Sequence, residues 1–323
     1  MKKILVIGSL NMDYAASLPH PPQVGETSLA AQVSLHPGGK GANQAYAAAR
    51  MGAPVQLLGA VGCDSNGVVL LQQLRQAGVG VAAVRQVPDT YTAMAVIEVF
   101  PDGGNRILVL PGANQAMDES WLLRQLSLIR DCDILLLQLE IPLTTVARAA
   151  RLAHALGKTV MLDPAPARPD LPPDLWPDID ILKPNELELH QLAGDPQCRL
   201  TLEQAARCLL DRGCRQVVVT RGRQGSVSLD PAGRVITVRP LLQVKAVDST
   251  GAGDCYSGAL AAGLARGLAL DSAMQLAAVA AELSVMKAGA QSAMPDLEAV
   301  LTRLPQLRLE LEPADGTGLK APV

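Results

Sequence analysis

The chain has 323 residues, 49% of them hydrophobic, with 28 Lys+Arg against 31 Asp+Glu and a formal net charge of -3. That length can bury a large core in one domain or two smaller ones, and the lack of a basic excess argues against nucleic acid or an anionic membrane as partner. The six cysteines form no CxxC pair and are joined by four histidines, so a structural zinc site is disfavoured and a reduced, cytoplasmic chain is expected.

The opening MKKILVIGSL looks like a leader peptide, but its apolar run is short and is soon broken by Asn11 and Asp13. Residues 3–7 therefore read as a first strand ending at Gly8. Residues 27–35 read as a strand, 42–50 as a helix, 55–58 as a strand and 67–77 as a helix ending near Gly78. Residues 92–110 hold two strands, 93–100 and 106–110, around a PDGGN turn at 101–105. Short apolar strands come next at 134–137, 159–162, 179–182 and 217–220, with helices at 143–156 and 202–212 between them. Residues 235–247 are β-like, and 253–266 and 270–286 read as successive helices. The Ala-rich stretch 260–285 is broken by Arg266, Asp271, Gln275 and Glu282, which favours buried helices over a membrane span. The tail 311–323, rich in Pro and Gly, is expected to be irregular.

The alternation of strands and helices predicts an α/β three-layer sandwich with a mostly parallel central sheet. The connection within 92–110 is too short for a parallel crossover. A small antiparallel sheet projecting over the ligand edge as a lid fits it, with a plain surface hairpin as the alternative.

Three clusters carry candidate chemistry. In VDSTGAGDCYSGAL, the turn Gly251-Ala252-Gly253 precedes Asp254 at the start of an apolar helix. Helix-start amides can hold an anion, and a carboxylate there can take a proton from a hydroxyl. By position alone Asp254 serves as a helix cap as readily as a base. In HPGGKGANQA, Gly38, Gly39 and Gly41 permit close backbone approach, while Lys40 and Asn43 offer donors to hydroxyls; a glycine turn capping the next helix is the plain reading. The third cluster is Asn11 and Asp13, just after the first strand, where a switch in strand order commonly binds ligands; Glu140, after strand 134–137, adds a possible contact. No GxxxxGK[ST] or GxGxxG sequence occurs, which lowers P-loop and Rossmann readings.

Taken together, GSLNMD, GGKGANQAYAAARMGA, LLLQLEIP, DPAPA, LKPNELEL, VVVTRGRQG and DSTGAGDCYSGAL resemble the ribokinase branch of the PfkB carbohydrate kinase family, from Lys3 to about Pro295. The resemblance implies one kinase domain over 1–310, with lid strands from about 14–36 and 91–111. It implies ATP-dependent phosphorylation of a sugar's exocyclic hydroxyl, giving ribose 5-phosphate if the sugar is ribose. Deoxyribose, another sugar or a nucleoside is the alternative substrate, and a non-catalytic sugar sensor the alternative role.

Residue by residue, the resemblance implies that Asp254 is the general base and Gly251, Ala252 and Gly253 the anion hole. Asn11, Asp13, Gly39, Lys40, Gly41, Asn43 and Glu140 surround the sugar. Asn185, Thr220, Gly222, Gly225 and Gly253 lie on the nucleotide side, and Glu188 contacts magnesium through water. Asp248, Thr250, Ser284, Lys287, Gly289 and Ala293 supply oxygens to an activating potassium ion, Lys287 through its backbone. The lid also implies a homodimer contact. Two positions depart from the family pattern. Tyr256 stands where relatives carry an apolar aromatic, and Asp163 stands where ribokinases often have asparagine. Aromatic residues are scarce, so adenine is expected to rest on aliphatic and backbone atoms.

Overall fold

The structure is a computed structural model that describes residues 1–306 except 102, 103 and 243. The tip of the expected 101–105 turn and the expected irregular tail 311–323 lie outside the described residues.

The large sheet has eight strands, in the spatial order Val235–Val238, Ser226–Leu229, Val217–Thr220, Ile181–Leu182, Thr159–Leu162, Ile134–Leu137, Ile4–Ile7, Val55–Leu58. Ile4–Ile7 pairs in parallel with Val55–Leu58 on one side and Ile134–Leu137 on the other. Parallel pairing continues to Val217–Thr220, and the last two strands are antiparallel. The central strands read as continuous apolar runs because both of their faces are covered. Ile4 and Val6 pack with helices Lys40–Arg50, Ser65–Gln76, Ala252–Ala265 and Leu270–Ser284. Leu5 and Ile7 pack on the opposite side with Leu143–Ala155, Glu186–Ala193 and Leu202–Leu210. The expected three layers are therefore present.

The chain leaves Ile4–Ile7 to one neighbour and returns to the other, so the strand order reverses beside Ile7. That is where an open α/β sheet has a crevice.

A separate four-stranded sheet has the order Gln32–Gly38, Asn11–Ser17, Met94–Val99, Asn105–Leu110. It is made of two antiparallel hairpins joined by a parallel pairing of Asn11–Ser17 with Met94–Val99. Three details differ from the sequence reading. The first lid strand begins at Asn11, so Asn11 and Asp13 belong to the lid itself. The expected strand 27–35 lies further on, at Gln32–Gly38, because it must pair with Asn11–Ser17 in a register that sets Asp13 opposite His36. Strand character in 235–247 ends at Val238, where the pairing with Ser226–Leu229 stops. Among the described residues no helix is long and apolar enough to cross a membrane.

Candidate active site at the glycine turn

Gly251 caps helix Ala252–Ala265 in the left-handed region, at φ 73°, a conformation that a Cβ makes costly. The turn delivers Asp254 into the first helical turn, 6% exposed. The opening amides of a helix carry partial positive charge; of these, Ala252 N–H leans on the Ser249 carbonyl at 3.2 Å.

Two carboxamides hold the carboxylate of Asp254. Asn43 Nδ2 donates to Oδ2 at 2.9 Å and Gln44 Nε2 to Oδ1 at 3.0 Å. Both come from the first turn of helix Lys40–Arg50, which starts at the glycine run. Gly258 allows that approach: a Cβ there would strike the Gln44 carbonyl oxygen and the Ala47 side chain. Gln44 Nε2 also donates to Asp163 Oδ2 at 2.9 Å. Ser257 Oγ donates to the same oxygen at 2.8 Å, and Lys183 Nζ pairs with it at 2.8 Å. Lys183 Nζ further reaches the Gly253 carbonyl at 3.4 Å.

The residues that the resemblance places around a sugar gather beside this centre. Asn11 is buried, and its Oδ1 accepts from Asn114 Nδ2 at 2.8 Å, so its own amide N–H groups are the free donors. Gly39, the residue before the helix, lies at φ 87°, and a Cβ on Gly41 would sit 2.6 Å from Ser9 N. Glu140 accepts from Ser9 Oγ at 2.5 Å and from Lys40 N at 3.2 Å. Burial pushes the Asp13 carboxyl up to about 7, with repulsion from Glu140 and Asp254 adding to it and Lys40 opposing it. Burial works against the charge of Lys40, but Asp254, Asp163, Glu140 and Glu188 outweigh it and hold the ammonium above its ordinary range. One cation therefore lies in the field of Glu140 from one cluster and of Asp163 and Glu188 from another.

Of the residues expected on the nucleotide side, Asn185 and Glu188 form a capping box. Asn185 Oδ1 accepts from Glu188 N, and Glu188 Oε2 accepts from Asn185 N, both at 2.8 Å. Burial, then repulsion from Asp163, raises the Glu188 carboxyl. Asn185 also bridges Thr220, which brings LKPNELEL beside VVVTRGRQG. Gly222 and Gly225 lie at φ 50° and 85°. The Arg221 guanidinium, whose direction sequence leaves open, turns to Glu186 at 2.9 Å and to Gln224.

Asp248 ties together the two loops of the third set. Its Oδ1 accepts from Thr250 N and Oγ1 at 2.9 and 2.7 Å, and its Oδ2 from Gly289 N at 2.8 Å. Burial alone would raise this carboxyl, but those bonds and the charge of His36 hold it below its ordinary value. Val285 O accepts from Asp248 N at 3.2 Å, and Ser284 O accepts from Lys287 N at 3.5 Å. Ala293 ends the short turn Gln291–Ala293 of the same loop.

Several site residues escaped sequence reading. Gln44, Gln138, Lys183, Asn114, Ser257 and Gln291 are all buried polar groups that join or orient the candidates. Gln138 had a readable signal, since it interrupts the apolar run LLLQLEI, and a polar side chain in a strand covered on both faces needs a partner. Asp163 stood out in the sequence only as a departure from the family pattern, and its ties to Lys183, Gln44 and Ser257 are visible only in three dimensions. Tyr256 is buried and donates its hydroxyl to Ser226 Oγ at 2.8 Å, which accommodates the departure at that position.

Comparison with known proteins shows relatives along nearly the whole chain. The chain is 37% identical to a ribokinase of Lactococcus lactis over 313 residues, 96% of this chain and 100% of that one. It is 34% identical to a deoxyribokinase of Salmonella typhimurium over 296 residues, 91% of this chain and 96% of that one. The solved structure of Arabidopsis thaliana ribokinase complexed with ribose and ATP superposes with a TM-score of 0.87 at 32% identity, covering 94% of this chain and 98% of that one. The family model for pfkB family carbohydrate kinases matches residues 1–297, and the chain belongs to that family.

Proposed function

We propose that the chain is an ATP-dependent sugar kinase that phosphorylates D-ribose at its 5-hydroxyl to ribose 5-phosphate. The observation that carries this is the convergence on Asp254: a carboxylate at a glycine-turn helix start, held by two amides and flanked by Asn11, Asp13, Lys40 and Glu140. Similarity to ribokinases over nearly the whole chain supports ribose as the acceptor. The deoxyribokinase relative supports 2-deoxyribose as the second reading.

In this reading Asn11, Asp13 and Lys40 position the sugar, Gly39 and Gly41 admit it close to backbone, and Asn43 and Glu140 narrow its orientation. Asp254 takes the hydroxyl proton as the sugar oxygen attacks the γ-phosphorus in line. Gly251, Ala252, Gly253 and the Asp254 amide stabilise charge on the phosphoryl oxygens. Asn185, Thr220, Gly222 and Gly225 hold the nucleotide. Magnesium, when bound, neutralises phosphate charge; Glu188 suits a water-mediated contact, since this ion prefers oxygen ligands and retains waters. The loop of Asp248, Thr250, Ser284, Lys287, Gly289 and Ala293 offers carbonyl oxygens of the kind a potassium ion takes, and its role is to order the glycine turn.

The lid sheet closes over the sugar and excludes water, and the domain spans 1–310. The same sheet pairs two copies: Val33, Leu35, Ile107, Leu108 and Val109 are all about half exposed or more, more apolar surface than a monomer sheet usually leaves in water. All six cysteines are free thiols, which supports a cytoplasmic protein.

The test is product formation with ATP, magnesium and potassium over a panel of ribose, deoxyribose, fructose, nucleosides and pseudouridine. Preferred turnover of ribose supports the proposal. Preference for deoxyribose selects the second reading, and binding without transfer replaces both with a sensor.

A further inference from the structure

Asp254 is oriented by more than its sugar-side neighbour. Gln44 is fully buried; two carboxylates that can only accept require its N–H groups on one side, and on the other Gln138 Nε2 donates to its Oε1 at 2.6 Å. With the oxygen so engaged, both N–H groups of Gln44 point the other way, one to Asp254 Oδ1 at 3.0 Å and one to Asp163 Oδ2 at 2.9 Å. A neutral double donor thus stands between two buried carboxylates. Asn43 is fixed in the same sense: its Oδ1 accepts from Gln291 Nε2 at 3.0 Å, and Gln291 Oε1 accepts from Gln73 Nε2 at 3.0 Å. Two directed chains of amides therefore end on the two oxygens of Asp254. Each carboxylate oxygen has two lone pairs, so one on each remains for a substrate hydroxyl.

We infer that Gln44, kept in register by Gln138, is a positioning residue for proton transfer: it holds the Asp254 carboxylate with an open lone pair toward the acceptor hydroxyl and keeps the Asp163 charge from competing for that proton. The inference rests on the sugar-kinase reading above. In the step concerned, the sugar O–H bond breaks and its proton passes to Asp254. The sugar oxygen bonds to the γ-phosphorus, and the bond to the leaving ADP oxygen breaks.

The charged groups around Asp254 come from several elements: Asp13 from the lid and Lys40 from the glycine-run helix act on it directly, Asp163 shares the Gln44 amide with it, Lys183 pairs with Asp163 and reaches the Gly253 carbonyl, and Glu140 and Glu188 act on Lys40. Replacing Gln44 by glutamate removes the donor and sets a third carboxylate between two, so a proton is retained among them. The base is then already protonated over part of the working range.

The experiment compares wild type, Gln44→Glu and Gln138→Leu in steady-state kinetics with ribose and ATP from pH 5.5 to 9, with thermal melts for folding. Expected for Gln44→Glu is a fall in kcat of roughly 100-fold, KM values within about threefold, and an acid limb of kcat moved to higher pH. Gln138→Leu leaves the buried Gln44 Oε1 without its donor and loosens the side chain, while the two carboxylates still hold its N–H groups, and a fall in kcat of about fivefold is expected. Packing alone would not move the acid limb. A wild type that transfers phosphate to no sugar overturns the kinase reading and this inference with it. An active wild type with both variants inside twofold of it at every pH, or with raised KM and unchanged kcat, overturns this inference alone. If Gln44→Glu does not fold, the Gln138→Leu result decides.

Discussion

Asn43 and Asp254 stand 211 residues apart in the chain and meet at 2.9 Å, Nδ2 of the first donating to Oδ2 of the second. The contact joins the glycine-run helix to the glycine-turn helix, so the groups proposed to hold the sugar and to take its proton share one hydrogen bond. Both helices contribute their N-terminal turns, where the two side chains converge.

That bond makes the outcome at Asp254 specific. Asp254→Asn should keep sugar and ATP affinity within a few-fold while kcat falls roughly 10²–10⁴-fold, the range for loss of a general base. Steady-state kinetics paired with titration calorimetry checks this. Near-normal turnover in the folded variant removes the base role.

Gly258 sets the spacing of the two helices. Gly258→Ala should cost about 1–3 kcal/mol through overpacking against Gln44 and Ala47, and should lower turnover as Asn43 and Gln44 draw away from Asp254. Denaturant unfolding and kcat are measured together. Unchanged stability would mean the helices part without strain.

Asp13 carries a pH signature whose sign is opposite to that of an ordinary paired carboxylate. Burial, helped by Glu140 and Asp254, pushes it from 3.8 up to about 7, so between those values the folded ligand-free protein holds a proton the unfolded chain has released. Stability from this group is fully present below about pH 4 and lost as pH rises toward 7, by on the order of 1 kcal/mol per pH unit at most. Asp13→Asn should therefore raise the melting temperature relative to wild type at pH 8 but not at pH 4.5. It should also weaken sugar use, since the amide replaces one of the two acceptor oxygens of the carboxylate with a donor. Equal pH slopes for the two proteins would discard this account.

Glu188 separates capping from metal contact. Glutamine suits the reciprocal cap with Asn185, so Glu188→Gln should hold the melting temperature within about 2 °C. A group that orients metal-bound water is worth roughly tenfold or more in metal affinity, and the magnesium concentration for half-maximal activity should rise accordingly. A magnesium titration with an unshifted midpoint leaves Glu188 as a cap alone.

The lid is tested by charge. Ile107 and Leu108 are adjacent in Asn105–Leu110 and point to opposite faces of the small sheet. Lysine at both sites should convert a dimer to a monomer in light scattering at micromolar concentration. A variant that stays dimeric places the contact elsewhere.

Much of the fold was legible locally. Apolar runs such as ILVI and ILLL are strands because each residue faces a covered side, and VDSTGAGDCYSGAL announces a turn before a helix by its glycines. The register of the lid was less legible. Residues 27–35 are no more strand-like than 32–38 in composition, and pairing with Asn11–Ser17 decides between them. The resemblance implied ligand roles for Asn185 and Glu188, and the capping box they form does not remove the roles proposed for them.

By itself the sequence determined the parallel α/β plan and the position of the glycine turn, since those depend on periodicity and on residue types within one turn or loop; the base role of Asp254 came from the family resemblance and stands as a proposal. The tertiary structure alone decided that Gln44 stands between Asp163 and Asp254, that Lys183 pairs with Asp163, and that Asn114 orients Asn11. Such contacts join side chains 20 to more than 200 residues apart. Their partners are chosen by sheet order, helix approach and the need of every buried polar group for a hydrogen bond, none of which is written in any local stretch of chain.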